Sequence, residues 1–204
     1  MKVDFDPERH AFTVDGRRVP GVTSILTDAG LGVDYSRVPP ATLAWARERG
    51  IHVDSCCELF DEGNLDWESI VDEARPYVEA WVRFREHFTT VHHKPISYHR
   101  ELGYAGIPDV LGCMRGYNWI LEIKATSEIS RSYALQLAAY AMPGMEYGNG
   151  IVVDPASTRR GIVHLKKTGK AHFIPDDEEP FEATDFDVFR SAVQVARWKR
   201  NGKP

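Results

Sequence analysis

The chain has 204 residues, 43% of them hydrophobic and 27% charged, long enough to bury one sizeable core without disulfide or metal staples. Thirty acidic against 25 basic residues leave a formal net charge of -5, which excludes strong non-specific affinity for nucleic acid as a property of the whole surface. Three cysteines, adjacent Cys56 and Cys57 and distant Cys113, make neither a disulfide framework nor a four-cysteine metal or iron-sulfur site, and read as buried thiols in a reducing compartment.

The first residues lack an apolar signal core, and no apolar run approaches the ~20 residues that span a bilayer. The expected location is the cytoplasm, with no membrane partner. Basic residues cluster locally at Arg47 and Arg49, Arg83 and Arg85, Arg159 and Arg160, Lys166, Lys167 and Lys170, and Arg197, Lys199, Arg200 and Lys203. Each cluster read alone is a solvated face.

In chain order, Asp15-Gly16 between short apolar pieces predicts a small hairpin from about His10 to Val19. Val22 to Leu26 opens a short helix capped by Thr23 or Ser24 and stopped by Gly30. A glycine- and proline-rich connector follows over 30–40. From Pro40 to Glu62 the pattern is helical, with Leu43, Ala46, Ile51, Val53, Cys57 and Phe60 as apolar content and Gly50 marking a bend or close approach. Asp54 and Glu58, at i and i+4, lie on one face of this helix. A second amphipathic helix spans Pro76 to about Phe88, with Tyr77, Ala80, Trp81 and Phe84 inward.

Ile96 to Leu102 reads as a strand leading into Gly106 to Ala125, two apolar runs around a turn at Arg115-Gly116. If these two residues form the loop, Met114 pairs with Tyr117, and counting outward brings Asp109 opposite Glu122. Directly opposed residues have Cβ atoms about 5 Å apart, where like charges repel unless something compensates them. A divalent cation is the natural compensation. Alternation puts Glu122 and Lys124 on the face of Asp109, while Trp119, Leu121, Ile123 and Ala125 point the other way as a core wall. A carboxylate pair for a hard cation beside an ammonium suits phosphodiester hydrolysis. A surface Glu-Lys ion pair is the plainer alternative.

Downstream, Ser130 to Ser132 caps a helix that ends at Pro143-Gly144. Ser132, Gln136 and Tyr140 form one polar stripe on it, placed to overlook the carboxylates. Strands are predicted over Gly150 to Val153, Gly161 to Leu165 and Ala171 to Ile174, then an acidic loop from Asp176 to Glu182. A final helix is capped by Thr184 or Asp185, with Phe186, Phe189, Val193 and Ala196 inward. There is no internal repeat. The whole reads as a single domain over 1–204: hairpin and helices to residue 95, the hairpin sheet and its helix over 96–153, and further strands and a helix over 154–204.

Pro108-Asp109, twelve residues, then Glu122-Ile-Lys124 resembles the signature of the PD-(D/E)XK nuclease superfamily. Gln136-Leu-Ala-Ala-Tyr140 is similar to the Gln-x-x-x-Tyr element of its RecB-like and phage lambda-type exonuclease branch. In that branch a glycine is followed four residues later by a metal-binding histidine and eight later by a glutamate. Counted from Gly50, those positions are Asp54 and Glu58, so an aspartate stands where the family has histidine, and His52 sits two residues early.

The resemblance covers roughly residues 20–142. It implies an α/β fold, a three-layer restriction-endonuclease-like core whose central mixed β-sheet is flanked by helices. It further implies metal-dependent DNA cleavage with Mg2+ or Mn2+, one or two ions, and a role in recombination or repair. Asp109, Glu122, the Ile123 carbonyl and Asp54 would hold the metal. Lys124 would polarise the attacking water, and Gln136 and Tyr140 would orient the scissile strand or Lys124. The expected activity is an exonuclease, with a structure-specific endonuclease or a catalytically silent DNA-binding module as alternatives. A sugar-cleaving carboxylate pair is disfavoured by Lys124. Expected partners are DNA, a homo-oligomeric ring, and a recombinase or single-strand annealing protein. Lys124→Ala is expected to abolish cleavage and spare folding.

Overall fold

The computed structural model describes residues 2–202; Lys203 of the basic tail lies outside them. Strands β1 (Val3–Asp6), β2 (Ala11–Val14) and β3 (Arg17–Val19) form an antiparallel sheet. Its second turn is Asp15-Gly16, both at positive φ (47° and 78°), the mirror-image turn that suits a two-residue hairpin. Helix α1 (Val22–Ala29) ends at Gly30 in the left-handed conformation, but its N-cap is Gly21, without a side-chain bond. Thr27 Oγ1 instead bonds back to the Thr23 carbonyl.

Helix α2 (Pro40–Asp61) starts with proline in its first turn, where the missing N–H costs nothing. It runs through Gly50 without a break, and a Cβ there would meet nothing within 4 Å, so Gly50 marks neither a break nor a close approach. Only Val53, Cys56 and Cys57 of α2 are buried, and Ile51 is 67% exposed. Helix α3 (Arg75–Arg85) buries Tyr77, Val78, Ala80, Trp81 and Phe84, the predicted face plus Val78. Burying one such large apolar side chain contributes about 1.5–3 kcal/mol.

Strand β4 (Thr89–His93), invisible to periodicity because it reads Thr-Thr-Val-His-His, follows. Next come β5 (Ser97–His99), β6 (Tyr104–Gly106), β7 (Val110–Met114) and β8 (Tyr117–Lys124). After helix α4 (Arg131–Tyr140) the chain adds β9 (Met145–Tyr147), β10 (Thr158–Leu165), β11 (Ala171–Pro175) and helix α5 (Asp185–Asn201). The central sheet has five strands in the order β11-β10-β8-β7-β4; β8 and β10 are parallel and the other pairs antiparallel. The fold is therefore α/β with a mixed sheet.

The predicted strand over 96–102 is shorter and belongs to a separate sheet, β6-β5-β9. The predicted strand over 150–153 does not form: Asn149 and Gly150 have positive φ, and Ile151 and Val153 pack against the core while Val152 is 91% exposed. Alternation reads as a strand, but this segment joins no ladder.

Helices cover both faces of the central sheet. On one, Val110, Met114, Trp119, Leu121, Ile123 and Val163 pack with α3 residues and Val53 of α2. On the other, Leu111, Ile120 and Ile162 pack with α1, α4 and α5. The face that carries the charged residues is thus also a core wall, and the charges occupy one end of it. Gly112 of β7 faces the first layer, where a Cβ would lie 2.3 Å from both Phe88 Cζ and the Thr89 carbonyl oxygen. Gly112→Ala is expected to cost about 1–3 kcal/mol by overpacking; an unchanged melting temperature would contradict this packing.

Asp61, at the end of α2, ties it to α3 and β4. Its buried carboxylate accepts from Arg85 Nε (2.7 Å), Thr90 Oγ1 (2.6 Å) and Trp81 Nε1 (3.1 Å), and pairs with His93 Nε2 (2.7 Å). Burial opposes its ionisation, but His93, Thr90 and Arg85 outweigh it and lower its pKa. The arginine clusters at 85, 159 and 160 are likewise not free faces: Arg159 pairs with Asp176 and Asp177, and buried Arg160 with Asp185. Cys56 and Cys57 are buried, whereas Cys113 is exposed. No helix among the described residues is long and apolar enough to cross a membrane.

Candidate active site

The hairpin β7–β8 turns at Arg115-Gly116, both at positive φ, and its register runs from Met114↔Tyr117 to Val110↔Leu121. One further step places Asp109 opposite Glu122. Asp109 lies just outside the ladder, where its Oδ2 accepts the Ile123 N–H at 2.7 Å. Its carbonyl accepts the Lys94 N–H at 2.9 Å. Side chain and backbone are thus held from two directions.

Glu122 is 2% exposed. Its Oε1 accepts from Lys124 Nζ and, at 2.9 Å, from Gln136 Nε2. Gln136 Nε2 also lies 3.2 Å from the Tyr140 hydroxyl. Serine 130 caps α4 by accepting the Ser132 N–H, and this cap aims the Gln136–Tyr140 stripe at Glu122. Ser132 itself bonds within the cap, 3.0 Å from Ser130 Oγ, and does not reach the carboxylates. Glu122 Oε2 is buried with no hydrogen-bond partner.

The electrostatics follow from this crowding. Burial first, then the charge of Glu122, pushes the Asp109 carboxyl well above its ordinary range. Burial also raises Glu122, with Lys124 opposing the shift. Lys124 goes up because the nearby carboxylates outweigh its own desolvation, so it remains an ammonium. Its Nζ also lies 4.9 Å from the Tyr133 ring centroid. Buried Tyr140 is pushed far up, which keeps it a neutral phenol.

Asp54 approaches from α2, and its negative charge helps raise both Asp109 and Glu122. Asp54 Oδ2 is 2.9 Å from Lys94 Nζ, which also contacts Glu58 Oε2 at 2.5 Å. His52 is turned elsewhere: its Nε2 accepts the Val71 N–H at 3.4 Å and lies 3.7 Å from Cys56 Sγ. Ile123 meets Asp109 through its N–H, whereas the resemblance assigns its carbonyl.

Three neighbours were not foreseen. Lys94 sits at φ 44° immediately before Pro95, a strained combination that no periodicity announces. Arg49 Nη2 donates to the Ala125 carbonyl (2.9 Å), and its guanidinium lies over Trp45 (4.5 Å) and Tyr77 (5.0 Å). The i,i+4 spacing of Trp45 and Arg49 was the available signal. His164, opposite Lys124 on β10, is buried; its Nε2 lies 2.7 Å from the Thr126 carbonyl, and burial lowers its pKa.

Among the described residues, no group of three or more His, Cys, Asp or Glu side chains is arranged as a metal cluster. The carboxylates are instead divided between two ammonium groups, Lys124 on Glu122 and Lys94 on Asp54 and Glu58. The donor set fits a hard divalent ion all the same: two facing carboxylates, half-buried Asp109 and buried Glu122, the latter with an oxygen lacking any partner, are the oxygen ligands such an ion takes. No family model matches the chain, and no similar curated protein is found.

Proposed function

We propose that the protein is a Mg2+- or Mn2+-dependent deoxyribonuclease with a restriction-endonuclease-like core, acting in the cytoplasm as an exonuclease on DNA ends. The observation that carries this reading is the unpartnered, buried Oε2 of Glu122 beside Asp109, whose carboxyl is pushed up by burial and by the charge of Glu122. Such an arrangement is costly unless a ligand completes it. Asp109 and Glu122, joined by Asp54 and the Ile123 carbonyl, are the residues that would hold one or two ions. A bound ion supplies water activation and neutralises charge developing on the phosphate.

Lys124, protonated beside Glu122, would polarise the attacking water and stabilise charge on the phosphate. Gln136 fixes the orientation of Glu122, and Tyr140 contacts Gln136 in turn. Because much of the arginine content is consumed in internal pairs, a ring of subunits threading DNA would supply the basic lining one subunit lacks. A recombinase or single-strand annealing protein is the partner such end processing would serve.

End-labelled linear duplex, single-stranded and closed circular DNA, each with Mg2+, Mn2+ or EDTA, provide the test, beside Glu122→Gln. The expected result is metal-dependent release of nucleotides from linear DNA only, reduced roughly hundredfold or more in the variant. Cleavage of closed circles would make it an endonuclease. DNA left intact under every metal would remove the nuclease reading in favour of a silent binding module.

A further inference from the structure

Lys94 makes three connections at once. Its ammonium bridges Asp54 Oδ2 (2.9 Å) and Glu58 Oε2 (2.5 Å) on successive turns of α2. Its N–H holds the Asp109 carbonyl (2.9 Å). Its backbone adopts φ 44° ahead of a proline, a conformation disfavoured on both counts and kept only where surroundings impose it. Positioned just beyond β4, the residue links the α2 carboxylates to the strand carrying Asp109. The Asp54 that it neutralises is the same group whose charge reaches Asp109 and Glu122.

We propose that Lys94 is a positioning residue that sets metal affinity: its ammonium is the resident counter-cation of Asp54 and Glu58, and a divalent ion recruiting Asp54 must displace it. This inference rests on the metal site proposed above. Displacement leaves the ammonium on Glu58, one helical turn away, so the lysine moves between two carboxylates without losing a partner. Glu58 thereby acts through Lys94, as the acceptor that makes release of Asp54 affordable. A purely structural ion pair would behave in the opposite way. Breaking it would loosen α2 against β4 and weaken any ion that Asp54 helps to hold.

The test is Mn2+ binding to the full chain, followed by calorimetry and by the electron paramagnetic resonance signal of free Mn2+, with no DNA present. Lys94→Met keeps the length of the side chain and removes its charge. It is expected to bind Mn2+ roughly tenfold more tightly than the wild type, the scale set by losing a like charge a few ångströms away near a protein surface. Glu58→Gln, which leaves the ammonium wholly on Asp54, is expected to weaken binding severalfold in the wild-type background and to change nothing in the Lys94→Met background. Unchanged or weaker binding in Lys94→Met overturns the inference while leaving the nuclease reading intact. So does a Glu58→Gln effect that persists in the double variant, which would make Glu58 a ligand in its own right. Absence of Mn2+ binding by the wild type and by Lys94→Met alike overturns both readings, whereas binding by Lys94→Met alone supports the inference. Should Lys94→Met fail to fold, Lys94→Gln carries the same comparison.

Discussion

Lys124→Ala is expected to lose about 3–5 kcal/mol of stability along with any cleavage, because it strands the buried carboxylate of Glu122 without its cation. The sequence alone led to the expectation that this variant spares the fold; the burial of Glu122 against Lys124 argues for a cost in stability as well. Lys124 is held between Glu122 and the Tyr133 ring, so it is structural before it is chemical. The variant that separates the two roles is Glu122→Gln with Lys124→Met. Neutralising both partners with similar volumes is close to neutral for stability, so the double variant is expected to melt near the wild type and to cleave nothing. Denaturant titration of the three proteins checks this. A single variant as stable as the wild type would show that Lys124 is not the counter-ion of Glu122.

Asp109→Asn is expected to act in the opposite direction on stability, raising it by about 0.5–2 kcal/mol in metal-free buffer while abolishing cleavage. The amide keeps an oxygen for the Ile123 N–H and removes the charge that burial and Glu122 both oppose. The sign with pH follows. A carboxyl whose pKa is raised by folding contributes stability that is fully present below its unfolded pKa and is lost as pH rises through the folded one. The metal-free wild type is therefore expected to lose stability as pH rises from the ordinary carboxyl range through the raised values of Asp109 and Glu122. Asp109→Asn should flatten that slope. Saturating Mn2+ should oppose the loss in the wild type, since the ion binds the ionised carboxylates. Thermal melts from pH 4 upward, with and without Mn2+, distinguish these outcomes. A slope equal in both proteins would mean that Asp109 ionises without penalty.

The parts legible in the sequence were those fixed by short-range rules. The Arg115-Gly116 loop set the hairpin register by counting, and Ser130 announced the start of α4. The Gln136 and Tyr140 stripe follows from helical spacing, and the structure brings Gln136 to Glu122. What could not be read depends on pairing across distance. Strand β4 carries Thr and His where apolar alternation is looked for, and it is a strand only because β7 offers an edge. Residues 151–153 alternate correctly and yet pair with no neighbouring strand, which local alternation cannot announce. Lys94 escaped notice for a related reason: nothing within ten residues of it names its partners, which lie on α2.

The arrangement of the central sheet also bears on the order of assembly. The β7–β8 hairpin brings Asp109 opposite Glu122 through contacts a dozen residues apart, whereas the parallel partner β10 and its crossover through α4 close a much longer loop. Loop-closure entropy favours the hairpin first. The two carboxylates thus meet while still hydrated, when their repulsion is screened and cheap, and are desolvated only as α4 and β10 dock. Lys124, on the same strand, arrives with them, so the burial step carries its neutralising charge from the outset.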